Sequence, residues 1–376
     1  MPLPFIMQKG VIVLPGGVST KILNFNAKMK QPYDFKVKYA EERAREFADE
    51  CRLRGLNYHV SVGGLDSITL LVFLRSLGIT CPAISVSYLE DKSVQKVHKD
   101  LGVECLRPTI KETKEDGTPV YWTKQSVIQE FGFPVLSKET SDKIEALQNP
   151  SEKNARWRHT ILTGETIKKR GPVVDERAKL SQKWLNLFGG ATAEGRALGY
   201  AAAPFKVSQK CCYFLKERPC ELWAREHKSV PYLGLMASEG GRRERALKMH
   251  GCNYFGSRQI RSAPFAIFER QDLLRLALDL KVPVPDIYGE IETDEDGILY
   301  TTGAQRSGCS MCGYGIHLEG RPNRLDMLYV RNPKEWNHIV HHLVQDEDGN
   351  WYGWDRVLDY IGVDWRPQTS LSEGEF

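Results

Sequence analysis

The sequence predicts an α/β fold in which helices cover both faces of a parallel sheet. Three features of its 376 residues support this. Short apolar runs alternate with helical patterns, turn residues separate the two, and the hydrophobic content of 41% is ordinary for a soluble globular protein. The length suffices for one large domain or two of ordinary size.

The first third of the chain carries the clearest alternation. Residues 1–35 contain short β-like runs with Gly, Pro and Lys, which predicts a hairpin-like extension. Residues 39–53 have apolar side chains at helical spacing among charged ones, which predicts a helix. Residues 36–110 are expected to form the start of the core, with a glycine turn after the first of three strands. The predicted strands are LNYHVSV, PAISVSYL and VECLRP, and the last two are separated by the helix KSVQKVHKDLG.

The remainder of the chain divides into three further segments. Residues 111–205 are more polar and less regular, which predicts a helical insertion with one helix near SQKWLNLF. Residues 206–320 return to the core pattern, with a strand in VPYLGLMASE and a helix in ERQDLLRLALDLKV. Residues 321–376 form a small extension, and its final SLSEGEF is expected to be disordered.

Charge and cysteine usage exclude several protein classes. A formal charge of +4 does not indicate a nucleic-acid-binding protein by itself. The sequence has no run of about 18 apolar residues and no secretion signal, so we expect a cytoplasmic protein without a membrane partner. Nine cysteines are an odd number, which argues against a disulfide framework and favours thiols that are buried or bound to metal.

The stretch SVGGLDS follows an apolar run and precedes a helical one. Glycines in a tight strand-to-helix turn let backbone N–H groups and the positive end of the helix dipole meet an anion such as phosphate. The Gly-Lys-Ser/Thr ending of a Walker A motif is missing. The alternative is an ordinary turn in which Asp66 caps the helix. The candidate binding residues are Ser61, Gly63, Gly64, Leu65, Asp66 and Ser67.

Four of the nine cysteines form two pairs. One pair is Cys211 and Cys212, and the other is Cys309 and Cys312 in a glycine-rich loop. Four thiolates suit zinc and a 4Fe–4S cluster equally by number, and four unliganded thiols are the third alternative. The isolated cysteines are expected to be small buried side chains, and these are Cys51, Cys81, Cys105, Cys220 and Cys252.

Three motifs, in order and between about residues 55 and 320, resemble the phosphoadenosine phosphosulfate reductase family of PP-loop proteins. SVGGLDS is similar to the PP-loop Ser-Gly-Gly-x-Asp-Ser, with Val62 at the first serine position. KCCYFLKERP with GCSMC is similar to the family's cluster-binding signature. GLMASEGGRRERA matches a third motif at Glu239 and Arg243, while Met236 and Gly240 replace its usual arginine and serine.

This resemblance implies a PP-loop domain of the adenine nucleotide alpha hydrolase type, with a helical insertion and a cysteine-rich C-terminal subdomain. It implies ATP or another adenine nucleotide at the glycine turn, with Mg²⁺, and a 4Fe–4S cluster on Cys211, Cys212, Cys309 and Cys312. Zinc is the alternative for the cysteines. Asp66 would orient the metal or its water, and Arg243 and Lys210 would contact phosphates, with Arg242 and Lys216 behind them.

The activity implied by the resemblance has three alternatives. Reductases of the family attack the sulfonucleotide with a C-terminal cysteine, but no cysteine follows Cys312, and Tyr314 stands in the cysteine's place before Gly-Ile-His. A phenol does not supply that soft nucleophile. The scaffold is also similar to sulfur-inserting enzymes of DNA and tRNA, which cleave ATP at the α-phosphate. Such an enzyme would need a nucleic-acid or protein acceptor and a thiol or sulfur donor protein. A non-catalytic nucleotide-binding accessory protein is the third alternative.

Overall fold

The structure is a computed structural model, and it separates the chain into two compact units. The first comprises Met1–Arg107 and Pro219–Cys309, and the second comprises Pro108–Arg218 and Ser310–Glu375. The predicted disordered segment SLSEGEF lies outside the described residues. The residues that the structure describes are 6–8, 11–13, 20–168, 171–189, 203–257, 259–310 and 312–367.

Short strands recur along the chain. They are β1 (Ile6–Gln8), β2 (Val11–Val13), β3 (Asn57–Ser61), β4 (Ala83–Ser85), β5 (Glu104–Cys105), β6 (Ile110–Thr113), β7 (Pro119–Tyr121), β8 (Val135–Leu136), β9 (Glu165–Lys168), β10 (Gly171–Val174), β11 (Ser229–Leu233), β12 (Asn253–Phe255), β13 (Ile260–Ser262), β14 (Ile291–Thr293), β15 (Leu299–Thr301), β16 (Gly313–Tyr314), β17 (Val344–Gln345) and β18 (Trp351–Tyr352).

Helices separate most of these strands. They are α1 (Thr20–Met29), α2 (Tyr33–Leu53), α3 (Leu65–Ser76), α4 (Lys92–Asp100), α5 (Lys124–Phe131), α6 (Lys138–Gln148), α7 (Ala155–Thr163), α8 (Gln182–Phe188), α9 (Lys210–Cys212), α10 (Arg218–Glu226), α11 (Gly241–His250), α12 (Arg270–Asp279), α13 (Arg324–Arg331), α14 (Pro333–His341) and α15 (Trp354–Ile361). A π-helical turn, Tyr213–Glu217, connects α9 to α10.

The first unit is built on a six-stranded sheet with the order β12-β13-β11-β3-β4-β5. All neighbouring strands from β13 to β5 are parallel, and only the edge strand β12 is antiparallel to its neighbour. Strand β3 pairs along its whole length with β11, from Asn57 opposite Ser229 to Ser61 opposite Leu233. The prediction of an α/β fold with a mostly parallel sheet is therefore confirmed.

Burial of apolar side chains holds helices against this sheet. Helix α3 buries seven of its residues, which fits a helix that packs between the sheet and other helices. The Tyr232 side chain is fully buried, and its hydroxyl donates to the Ala44 carbonyl oxygen in α2 over 2.6 Å. Lys36 of α2 forms a buried ion pair of 2.7 Å with Asp272 of α12. These contacts fix α2 and α12 beside the sheet.

The second unit combines helices with small sheets. Strand β8 pairs in parallel with β16, while β6–β7, β9–β10 and β17–β18 are antiparallel hairpins. An aromatic cluster of Phe133, Phe188, Phe205 and Trp354 forms part of its core.

In the first unit, the short strands β1 and β2 also pair as an antiparallel hairpin. No helix in the described ranges is both long and apolar enough to cross a membrane.

Candidate functional site

The glycine turn lies at the carboxyl end of β3, in the middle of the six-stranded sheet. Ser61 ends β3, and Gly64 is the N-cap residue of α3. The chain continues from β3 to β4 and β5 on one side, whereas β11 lies on the other side. Strand order therefore reverses beside β3, and open α/β sheets bind ligands in the crevice at such a point.

Hydrogen bonds from two polar side chains shape the turn. The Gly63 N–H donates to Ser67 Oγ over 2.7 Å, and that hydroxyl donates to the Gly64 carbonyl oxygen over 2.9 Å. The Gly63 carbonyl oxygen lies 2.7 Å from His98 Nε2, and His98 Nδ1 lies 2.7 Å from Ser87 Oγ. Because a carbonyl oxygen only accepts, Nε2 carries the proton. Burial lowers the pKa of His98, in keeping with this neutral form.

The loop after β11 packs closely on the turn. A Cβ atom on Gly234 would lie 2.9 Å from both the N and the Cα atoms of Ser67, and 3.0 Å from the Asp66 carbonyl carbon. All three are backbone atoms of α3, so they cannot move aside as a flexible side chain would. Gly234 therefore permits the close approach of the two loops that bound the crevice.

Tyr288 also contacts the glycine turn, in addition to His98 and the loop after β11. Its hydroxyl accepts from the Leu65 N–H at 3.0 Å and lies 2.5 Å from Ser307 Oγ. A Cβ atom on Gly64 would lie 2.3 Å from the Tyr288 hydroxyl, so this glycine makes room for a protein group. Among the described residues, no acceptor is bonded to the backbone N–H groups of Gly64 and Asp66. Those two donors remain able to bind an anion.

Asp66 lies in the first turn of α3 and pairs with Arg270 at the start of α12. Arg270 Nη1 donates to Asp66 Oδ1 over 2.7 Å, and the two side chains are 29% and 32% exposed. The Nε atom of Arg270 is buried and has no acceptor in the described part of the chain. Partial burial raises the pKa of Asp66, and the Arg270 guanidinium opposes that rise.

A second carboxylate with its arginines lies near Asp66. Glu239 precedes α11, its side chain is 7% exposed, and it pairs with Arg243. Arg306 Nη2 is 3.7 Å from Glu239 Oε1. The charges of Glu239, Arg306 and Arg243 all act on the pKa of Asp66, so these groups share one electrostatic environment. Among the charged groups that act on Asp66, three arginines thus face two carboxylates, Asp66 included, which favours an anion.

The structure brings together some of the predicted site residues and separates others. The turn residues, Asp66 and Arg243 belong to the first unit, whereas Lys210 belongs to the second. There, Lys210 Nζ is 3.0 Å from Glu145 Oε1 and 4.5 Å from the centre of the Phe131 ring. Gly234 belongs to the motif GLMASEGGRRERA but was not assigned to the turn, and the sequence did not identify Arg270, Tyr288, Arg306 and Ser307. A signal for Arg270 was its place in the first turn of the predicted helix ERQDLLRLALDLKV, where a basic side chain is unusual.

Three of the four paired cysteines lie in the second unit. Cys211 and Cys212 are in α9, and Cys312 precedes β16. Burial raises the pKa of Tyr314 in β16, and the neighbouring Cys212, Cys312 and Cys211 raise it further. Burial also raises the pKa of Cys212 to about 11, against the opposing charge of Lys138. All three thiols therefore lie close enough to act on the pKa of Tyr314, whose hydroxyl is buried.

The backbone beside these thiols is constrained. Leu136 of β8 is buried and has a φ of 60°, a conformation that costs energy for a residue with a Cβ atom. It pairs with Tyr314, and the Gly315 N–H donates to its carbonyl oxygen over 2.9 Å. Arg324 Nη1 donates to the Cys312 carbonyl oxygen over 3.2 Å. Strain retained next to a cysteine pair is typical of a functional site.

Thiolates are suitable ligands for a soft metal or an iron–sulfur cluster by their chemistry. Within the described ranges, no three or more His, Cys, Asp or Glu side chains already have the geometry of a metal site. Loading would therefore have to draw the thiols together. Cys309 is the last residue of the first unit and precedes Cys312 by three positions. Of the isolated cysteines, Cys105 is exposed, so its predicted burial is wrong.

The chain matches no protein-family model, and no curated protein is significantly similar to it in sequence. The first unit offers a glycine turn at the start of α3, beside the Asp66–Arg270 pair. The second unit offers three thiols, Cys211, Cys212 and Cys312, that act on the pKa of Tyr314.

Proposed function

We propose that this protein is a PP-loop enzyme of the phosphoadenosine phosphosulfate reductase type. It binds an adenine nucleotide at the glycine turn, cleaves it at the α-phosphate, and works with a cysteine-bound iron–sulfur cluster in sulfur transfer. The observation that carries the proposal is the position of Gly63 and Gly64 at the carboxyl end of the central parallel strand, beside the Asp66–Arg270 pair.

The geometry supports phosphate binding in two ways. The Gly64 and Asp66 N–H groups are available at the positive end of the α3 dipole. Arg270 and Arg243 pair with carboxylates and are 29% and 54% exposed, so phosphate oxygens could exchange with those carboxylates. Asp66 is the residue to hold or orient Mg²⁺, which would neutralise charge on the departing pyrophosphate.

The proposed reaction is adenylylation. An oxygen of the acceptor attacks the α-phosphorus of ATP, the bond to the β-phosphate oxygen breaks, and pyrophosphate leaves. A sulfur nucleophile then displaces AMP from the acceptor. The arginines stabilise the negative charge that develops on pyrophosphate. The acceptor would be a nucleic acid or a protein, and a thiol or sulfur donor protein would supply the sulfur.

Cys211, Cys212 and Cys312 are the residues of the second unit that would hold the cluster, and Cys309 is the fourth candidate by its spacing. A 4Fe–4S cluster would supply a site for handling sulfur, and zinc would supply only a structural link. This part of the proposal has a direct test. Protein reconstituted anaerobically with iron and sulfide should show about four iron atoms and cluster absorbance. C212S and C312S should lose both signals, while the exposed-site control C105S should keep them.

A second candidate is a non-catalytic accessory protein that binds a nucleotide without turnover. The observation in its favour is that Tyr288 and Ser67 already satisfy two N–H groups of the turn. A glycine turn completed by its own protein does not require a substrate. This candidate predicts nucleotide binding with no product.

Product analysis separates these alternatives. Anaerobically prepared protein is incubated with MgATP, and AMP and pyrophosphate are measured. D66N should lower their formation by about 100-fold or more, because it removes the charge that organises the phosphate site. The control D100N changes an exposed carboxylate paired with Lys96 and should have no effect. Unchanged activity of D66N would refute the proposed site.

A parallel incubation uses phosphoadenosine phosphosulfate with a thiol donor. Release of sulfite would show that the protein is a reductase with its nucleophile supplied from elsewhere. ATP binding without AMP formation would support the accessory protein instead.

A further inference from the structure

The Tyr288 hydroxyl occupies a position in the first unit that the phosphate site would need. It accepts from the Leu65 N–H at 3.0 Å and from the Ser307 N–H at 3.3 Å, and it lies 2.5 Å from Ser307 Oγ. Leu65 is the first residue of α3, so its N–H is one of the donors that a helix leaves without an internal partner. A neutral phenol thus satisfies a donor of the proposed anion site.

The chain around Tyr288 holds this hydroxyl in place. The Gly303 N–H donates to the Tyr288 carbonyl oxygen and the Ala304 N–H to the Ile287 carbonyl oxygen, both over 2.8 Å. Arg270 Nη2 donates to the Gln305 carbonyl oxygen over 3.3 Å. Tyr288 itself is only 2% exposed. Residues 302–308, called the strap below, are therefore bonded to the segment that carries Tyr288 and to Arg270 through several independent contacts.

We propose that Tyr288 is an internal plug of the phosphate site, whose hydroxyl holds the place of a phosphate-type oxygen on the Leu65 N–H until a ligand displaces it. The proposal rests on the proposed nucleotide site and adds its regulation. Displacement frees Ser307 at the same time, because the two hydroxyl groups are bonded to each other. The strap then has to shift when the ligand binds, and Arg306 shifts with it.

Replacing the Tyr288 hydroxyl by a ligand oxygen at the Leu65 N–H is favourable for a charged ligand and unfavourable for a neutral one. A phosphate oxygen accepts a stronger hydrogen bond than a neutral phenol does, and the helix dipole favours its negative charge. Burial raises the pKa of Tyr288, so the phenol stays neutral and cannot compete as an anion. Small anions with phosphate chemistry, including pyrophosphate, are therefore the ligands that the plug admits.

Y288F tests the plug, because it removes the hydroxyl and keeps the buried ring. Without the hydroxyl the Leu65 N–H lacks its acceptor, and a ligand oxygen gains that hydrogen bond without competition. Calorimetric titration with ATP and with pyrophosphate should show about fivefold tighter binding to Y288F than to the wild type. S307A should shift the affinity in the same direction. The control Y300F, which removes an exposed hydroxyl bonded to Glu292, should bind as the wild type does.

The outcomes separate the plug from the proposed reaction. Tighter binding to Y288F, or binding to Y288F alone, supports the plug whether or not AMP is formed. Equal or weaker binding to Y288F overturns the plug and leaves the proposed reaction standing if wild-type protein still forms AMP. If no variant binds ATP or pyrophosphate, the plug is also overturned, because the emptied position does not accept a phosphate oxygen.

Discussion

Replacing Gly234 by alanine tests the close approach of the two loops at the crevice. The added Cβ atom would lie 2.9 Å from the N and Cα atoms of Ser67, whereas ordinary contacts begin at 3.4 Å. To remove this steric overlap, the start of α3 or the loop after β11 would have to move by about half an ångström. Both are backbone segments fixed in a packed core, so neither can relax by a change of rotamer.

The expected cost follows from overpacking. Enlarging a side chain in a packed interior costs about 1–3 kcal/mol. For a unit of this size that corresponds to a fall in melting temperature of about 2–12 °C. Because Gly234 contacts Ser67 and Asp66, the disturbance should also reach the turn and weaken nucleotide binding.

Thermal unfolding followed by circular dichroism, with hydrogen exchange of residues 57–76, measures this effect. G308A is the matched control, because a Cβ atom on Gly308 meets nothing within 4 Å. We expect faster exchange in α3 and a lower melting temperature for G234A alone. A G234A protein as stable as G308A, with unchanged exchange, would refute the packing described for the crevice.

Three further perturbations test other features of the first unit. G63A should change the free energy of unfolding in urea by less than about 0.5 kcal/mol, because its Cβ atom would meet only Ser67 Oγ at 3.8 Å. The same variant should nevertheless bind ATP more weakly. K36M should cost about 3 kcal/mol or more in the same assay, because it leaves a buried carboxylate unpaired, whereas exposed-site K38M should cost little. Burial lowers the pKa of His59 from 6.5 to about 4, so the unfolded chain binds a proton first as the pH falls. Stability should therefore decrease by up to about 3 kcal/mol between pH 6.5 and 4, and H59N should reduce that slope while exposed-site H250N should not.

Patterns of neighbouring residues predicted the strands and helices whose own sequence shows an apolar run or helical spacing. The alternation of apolar and helical patterns identified the strands β3, β4, β5 and β11 and the helices α3 and α4. Boundaries set by tertiary contacts were missed. Helix α2 begins at Tyr33, six positions before its predicted start, and its extra turns include the buried Lys36. A lysine in a buried ion pair breaks the expected apolar pattern, so periodicity alone could not include it.

The predicted strand PAISVSYL shows the same limit. Strand β4 ends at Ser85, and residues Ser87–Leu89 form a 3₁₀ turn. The turn resembles a strand in composition because its last residue, Leu89, is apolar and buried. Burial rather than pairing explains that composition, and sequence does not distinguish the two.

The site was predicted only as far as its residues are close in sequence. The glycine turn was recognisable because a strand, two glycines and a helix start follow one another. The groups that complete it, among them Gly234, Arg270, Tyr288 and Ser307, are more than 160 positions away from the turn. Of these four, only Gly234 belongs to a recognised motif, GLMASEGGRRERA. Sheet topology brings them together, and topology is not encoded in any one segment.

The two glycines of the turn carry different information about function. Gly64 has an internal reason to be glycine, because a side chain there would collide with Tyr288 and Ser307 in the protein alone. Gly63 has no such reason, since a Cβ atom would make only an ordinary contact with Ser67. A loss of ATP binding in a stable G63A protein would therefore point to a ligand that approaches the backbone. Retained binding would show that the ligand does not approach Gly63 closely, and the case for a phosphate site would then rest on the Gly64 and Asp66 N–H groups and their arginines.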